Sequence, residues 1–163
     1  MSLVAMWLVF RDPAIDHRLV VVGALLPDLA DAAFGSAAIA HTLVSAVAVL
    51  FIVMGVTVGR RALRRRLLAV PIGWFFHLVL DPMWSETELF WWPGFGLGFG
   101  DVALPAFDRP IAATVAMELV GLVALVWAYR TFGLGDADRR STFITTGRID
   151  RSLTDPEAAP PSC

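Results

Sequence analysis

Five ionisable side chains of metal-binding type interrupt otherwise apolar parts of this 163-residue sequence: Asp28, Asp31, His41, His77 and Asp81. Helical residues three or four positions apart share a face, so Asp28 is expected beside Asp31 and His77 beside Asp81. Imidazole and carboxylate groups together suit Zn²⁺, and also Mn²⁺, Fe²⁺ or Ni²⁺. Such a metal lowers the pKa of a bound water to about 7 and supplies hydroxide for hydrolysis.

The stretches that carry these residues are hydrophobic enough to predict helices that cross a bilayer. Hydrophobic residues make up 57% of the sequence and charged residues 17%, whereas soluble domains are about 45–50% apolar and about 25% charged. We therefore predict an all-α, polytopic transmembrane bundle of about four spanning helices, preceded by a short N-terminal apolar helix. The short helix is predicted at 2–10 and the spans at 17–33, 37–58, 67–84 and 110–129.

The arginine distribution predicts how these helices are oriented. The cluster at 60–66 should face the cytoplasm, because short loops dense in arginine resist translocation. The loop at 85–109 then lies outside, and the last span returns the chain to the cytoplasm, where the arginines that follow it are expected. We predict a membrane-embedded helical domain, residues 1–132, followed by a polar, mostly flexible cytoplasmic tail, residues 133–163, with a short amphipathic segment around 141–146.

In this topology the five metal-binding residues fall at a common depth. Asp28 and Asp31 close a helix that runs outward, and His41 begins a helix that runs inward. His77 and Asp81 lie in the outer half of the next outward helix. Three separate segments therefore deliver imidazoles and carboxylates beneath the external face, which predicts a shared metal or proton-linked site.

The same residues also permit interpretations without catalysis. They could form an interhelical polar network in a non-enzymatic membrane protein, or the proton path of a small transport subunit. His17 lies at the opposite end of its helix and is not expected to join the cluster, and Glu118 is interpreted as a structural partner in the last span. Cys163 is the only cysteine, which excludes a disulfide within this sequence. The single arginine cluster leaves no basic face suited to nucleic acid.

Three motifs resemble those of a known family. They are Leu-Leu-Pro-Asp-Leu at 25–29, Ala-His-Thr-Leu at 40–43 and Phe-His-Leu-Val-Leu-Asp at 76–81, followed by Trp-Trp-Pro at 91–93. In this order they resemble the bacterial membrane-bound metal-dependent hydrolases, in particular a compact actinobacterial branch. The resemblance implies that Asp28, His41, His77 and Asp81 belong to the metal site. The second aspartate of the family's first motif is displaced by one residue, to Asp31.

Together, the residues and the resemblance predict a hydrolase of an ester or phosphoester in the bacterial plasma membrane. His41, His77, Asp81 and Asp28 are the expected ligands of a divalent metal, with zinc as the favoured ion. Asp28 or Asp31 is expected to orient water or act as general base. Asp31 is alternatively expected to support the ligands from behind or to bind a second metal. Because the site lies at lipid depth, a lipid or lipid-linked substrate near the outer leaflet is a further hypothesis. The sequence does not indicate an oligomeric state.

Overall fold

The computed structural model describes residues 1–12, 14–32, 39–81, 87–96 and 110–150. Every regular element within these residues is helical, which confirms the predicted all-α class. A short 3₁₀ turn, Ile39–His41, precedes the third helix. The helices are α1 (Ser2–Phe10), α2 (His17–Ala32), α3 (Leu43–Val56), α4 (Arg61–Leu67), α5 (Ala69–Leu80), α6 (Thr87–Phe90), α7 (Ile111–Thr131) and α8 (Ala137–Thr146).

Helices α2 and α5 pack with their backbones in direct contact. A Cβ atom added at Gly23 of α2 would overlap the carbonyl oxygen of Val70 in α5, and one added at Gly73 of α5 would overlap that of Val20. Small residues permit this close approach, because no side chain separates the two backbones. The two glycine contacts mark the point where α2 and α5 cross. Farther toward the carboxyl-terminal ends of both helices, Asp28 of α2 lies 3.3 Å from His77 of α5, so the two helices run in the same direction and their carboxyl-terminal ends lie together.

Two apolar clusters hold the neighbouring helices against this pair. Met6 of α1 packs with Val20 of α2 and Ala69 of α5, and all three side chains are buried. On α5, Leu78 packs against α3 and against Leu89 of α6. The 3₁₀ turn before α3 lies against α2 and is joined to α5 by a hydrogen bond from Trp74 to Ala40.

The predicted bundle of four spanning helices is not supported by the helix lengths. Within the described residues only α7 is long and apolar enough to cross a membrane, with an 18-residue window of mean hydropathy 2.1. Helix α3 has 14 residues, about 21 Å of rise, against a hydrocarbon core of about 30 Å. The predicted span at 37–58 is shortened because Thr42 caps α3: its hydroxyl accepts from the Ser45 amide at 3.1 Å. Helix α5 is shorter still, with 12 residues.

Residues 133–150, the described part of the predicted tail, pack against the helices instead of extending away from them. Phe143 of α8 contacts a cluster that includes Trp7 of α1 and Phe132 at the end of α7. Helix α8 contains the amphipathic segment predicted from the sequence. The tail residues 151–163 lie outside the described part of the chain.

The buried side chain of Asp16, just before α2, joins α2, α4 and α8 through ion pairs with two partly exposed arginines. Arg18 Nη2 and Arg66 Nε each lie 3.0 Å from Asp16 Oδ2. Arg18 Nη1 also donates to the carbonyl oxygens of Ile144 at 2.7 Å and Thr145 at 2.9 Å, in the last turn of α8. Burial by itself would raise the pKa of Asp16, but the hydrogen bonds from the two guanidinium groups outweigh it and hold that pKa below its usual value.

Replacing Asp16 with asparagine is expected to loosen α8, because two guanidinium groups then lose their shared counter-charge and Arg18 is no longer oriented toward the end of α8. Trypsin should cleave the exposed chain after Arg139 and Arg140 several-fold faster than in the wild type. Glu88→Gln removes the same charge from the exposed surface of α6 and should leave the cleavage rate unchanged. Equal cleavage of Asp16→Asn and Glu88→Gln would contradict a role of Asp16 in holding α8.

Candidate metal centre

The residues predicted to bind a metal come from α2, the 3₁₀ turn and α5. Because α2 and α5 run parallel, Asp28 near the end of α2 lies beside His77 near the end of α5. His41 is the last residue of the 3₁₀ turn. Trp74 of α5 fixes that turn, since its indole N–H donates to the carbonyl oxygen of Ala40 at 3.0 Å.

Asp28, His41 and His77 meet at one point. Asp28 Oδ1 lies 3.2 Å from His41 Nε2 and 3.3 Å from His77 Nε2, and the two imidazole centroids are 5.5 Å apart. One possible ligand atom from each residue lies within 4.8 Å of the other two. The side chain of His41 is 0% exposed and that of Asp28 is 52% exposed. The triad is therefore shielded from solvent on the His41 side and accessible to solvent at the Asp28 carboxylate.

Asp31 lies behind His41, on the side away from the triad. Its Oδ2 is 2.6 Å from His41 Nδ1, and both side chains are buried. Donation from Nδ1 to Asp31 leaves the Nε2 lone pair of a neutral His41 directed at Asp28. A carboxylate on the far nitrogen is the usual partner of a metal-binding histidine, because it fixes the ring's orientation and its tautomer. Both aspartates contact the same imidazole, as expected for residues that share a helix face.

Only one of the two imidazole nitrogens that face Asp28 has hydrogen-bond geometry, His41 Nε2 at 3.2 Å from Asp28 Oδ1. His77 Nε2 is buried and makes no hydrogen bond within the described residues, although Asp28 Oδ1 is only 3.3 Å away. Since an ionised carboxylate only accepts, a neutral His41 with its proton on Nδ1 cannot donate to Asp28 either. This arrangement is unfavourable unless a proton or a metal ion lies between the groups. Ligands about 2.0–2.1 Å from a tetrahedral zinc lie about 3.3 Å from one another. The distances of Asp28 Oδ1 from the two histidine nitrogens, 3.2 and 3.3 Å, fit that ion.

Asp81, predicted as a metal ligand, is not one of the three residues that meet. Helix α5 ends at Leu80, and Asp81 has φ −90° and ψ 32°, outside helical geometry. Its backbone N–H still donates to the carbonyl oxygen of His77 at 2.9 Å, but its carboxylate is not among the ligand atoms that lie within 4.8 Å of one another. Asp81 instead lines a cavity next to the triad, as does Glu118 of α7.

His17 lies at the opposite end of α2, in agreement with the prediction that it stays outside the cluster. Its Nδ1 is 3.1 Å from the carbonyl oxygen of Gly147, and its backbone N–H donates to the same oxygen at 2.8 Å. The ring packs near Trp7 and Phe132, with centroids 6.0 and 6.1 Å away. His17 therefore links α2 to the segment after α8.

Sequence reasoning missed the residues that assemble the triad without belonging to it. The Trp74 indole donates to an acceptor that lies 34 positions away in the chain, and no local sequence pattern predicts such a hydrogen bond. Gly23 and Gly73 could have been noticed, because a glycine inside an apolar helix often marks a close approach of two backbones.

The cavity beside the triad has a volume of 1410 Å³. Asp28, His77 and Asp81 line it at the triad, and apolar side chains of α2 and α7 line its length. The half-exposed carboxylate of Asp28 faces this space, so a molecule in the cavity can reach the triad.

Comparison with protein-family models, with curated proteins and with solved structures found no match to this chain.

Proposed function

We propose that this protein is a membrane-associated hydrolase that uses a divalent metal, with zinc as the favoured ion, to cleave an ester or phosphoester. The observation that carries the proposal is the meeting of Asp28, His41 and His77 with Asp31 behind His41. Two imidazoles and one carboxylate are the ligand set of many zinc sites that keep a coordination position open for water. The resemblance of the three motifs supports the same activity.

Each side chain of the site has a distinct part in this proposal. Asp28, His41 and His77 would hold the zinc ion, which would supply a Lewis acid and a water with a pKa of about 7. Asp31 keeps the Nε2 lone pair of His41 directed at the metal position, and its burial behind that ring prevents contact with substrate. Asp81 faces the cavity, so we assign it, in place of Asp31, as the group that accepts the proton released by water.

Membrane association is proposed from the apolar surface of the helices. Only 6% of the apolar window of α7 is buried, and α3 exposes Phe51 by 71% and Ile52 by 61%. Soluble proteins rarely expose contiguous apolar surfaces of this kind. A location in the bacterial plasma membrane, with the C-terminus in the cytoplasm, stays part of the proposal.

The metal content of the full chain, purified in detergent and loaded with zinc, tests the proposal. After dialysis without chelator, we expect about one zinc per chain by mass spectrometry. His77→Gln should lose the metal, because it removes a ligand. His17→Gln is the matched control and should retain it. The loaded wild type should also hydrolyse a chromogenic phosphodiester or ester, and a chelator should stop this reaction.

Two outcomes would contradict the proposal. A wild type without metal, whose thermal unfolding temperature is lowered by His77→Gln, would favour a structural polar network. A bound metal without hydrolysis of any ester or phosphoester would favour a metal-binding protein that is not an enzyme.

A further inference from the structure

The cavity beside the triad is polar at the triad and apolar along most of its length. Its walls between α2 and α7 include Val21, Val22 and Leu25 on one side and Leu122 and Leu125 on the other. Several of these side chains are solvent-exposed, for example Leu25 by 59% and Leu125 by 68%, so the cavity is a groove that is open from the side.

The far end of the groove is closed by the segment that Asp16 and His17 hold in place. Phe132, Leu134 and Phe143 line the groove there, together with Arg18. Phe132 and Phe143 belong to the apolar cluster that packs α8 against α1 and α7. The groove thus has carboxylates and an imidazole at the triad and mainly apolar side chains beyond it, which is the distribution of polarity along an amphiphile. The Arg18 guanidinium at the aromatic end is paired with Asp16.

The groove follows most of the length of α2. Its lining on α2 begins at Arg18 and ends at Ala32, and fourteen residues of helix rise by about 21 Å. This length lies within a hydrocarbon core of about 30 Å. A chain lying in the groove would run along α2 and α7, so a lipid would not need to reorient to enter from the side.

We infer that this groove binds the acyl chain of a membrane lipid and holds the ester or phosphoester of that lipid at Asp28, His41 and His77. The position of the head group rests on the proposed function, whereas binding of the chain does not. Hydrolysis would break the bond between the acyl or phosphoryl group and its alcohol oxygen, with water supplying the hydroxyl to one product and the proton to the other.

A phospholipid that carries a photoreactive diazirine on its acyl chain tests the inference in reconstituted full-length protein. Cross-links should concentrate on Val21, Val22 and Leu25 of α2, which line the groove, relative to the exposed positions of α3. Gly121→Trp should lower the α2 labelling about tenfold by filling the groove, because Gly121 lines it and has open space around its Cβ position. Gly55→Trp is the matched control, since Gly55 also has open space around it but does not line the groove.

The outcomes separate this inference from the proposed function. Equal labelling of α2 and α3 that Gly121→Trp leaves unchanged would show surrounding lipid only and would overturn the inference. Selective α2 labelling that persists in His77→Gln, while zinc is lost, supports chain binding independently of the metal. Selective labelling of a wild type that binds no metal would retain the lipid site and reject the hydrolase.

Discussion

Replacing Asp28 with asparagine is expected to weaken zinc binding more than any other single change at the triad and to abolish hydrolysis. Asp28 Oδ1 is the atom that lies close to both histidine nitrogens, at 3.2 and 3.3 Å. Asparagine keeps the shape but removes the charge that offsets a divalent cation. Loss of an outer partner of a metal ligand typically costs about 10–100-fold in affinity, and loss of the ligand itself should cost more than about 100-fold.

Asp31→Asn provides the graded comparison. This variant keeps all three ligands but weakens the bond that orients His41, so its zinc affinity should fall by about 10–100-fold. Competition with a chelator of known affinity measures both variants on one scale, and Asp138→Asn, on the exposed first turn of α8, is the control for charge. If Asp28→Asn binds zinc as tightly as Asp138→Asn, the metal does not lie at the triad.

Enlarging Gly23 is expected to produce the largest loss of stability and to remove the metal site with it. A Cβ atom there would overlap the backbone of α5 at Val70, and backbone cannot move aside as a flexible side chain can. Overpacking of a core typically costs about 1–3 kcal/mol, and Gly23→Ala should reach at least that range. Because Asp28 and His77 lie farther along the same two helices, separation of α2 and α5 should also abolish zinc binding.

Gly55→Ala is the matched control and should change stability in the opposite direction. Gly55 lies in α3 with nothing near its Cβ position, and alanine in a helix is favoured over glycine by about 0.5–1 kcal/mol. Thermal unfolding of both variants in the same detergent, followed by circular dichroism, measures the difference. A Gly23→Ala protein as stable as Gly55→Ala would show that α2 and α5 are not in backbone contact.

The chemistry of the site was largely predictable, because residue type decides what can bind a metal. Histidine and aspartate within apolar segments are rare enough to mark the candidates, and Asp28, His41 and His77 were all among them. The shared face of Asp28 and Asp31 followed from helical periodicity, and the separation of His17 followed from its place at the other end of α2. Helix lengths were predicted less well, since hydrophobicity continues past the cap at Thr42 and the end of α5.

The sequence by itself determined the helical class, the side chains that could bind a metal and those that share a helix face, because these depend on residue type and on local periodicity. Tertiary structure alone decided that Asp31 lies behind His41, that Asp81 lies beside the triad and not within it, and that α8 packs against α1. Such contacts depend on how separate helices pack. In α2 and α5 this packing is decided by the contact of Gly23 with Val70 and of Gly73 with Val20. The residues of each pair are about fifty positions apart in the chain and meet only after folding.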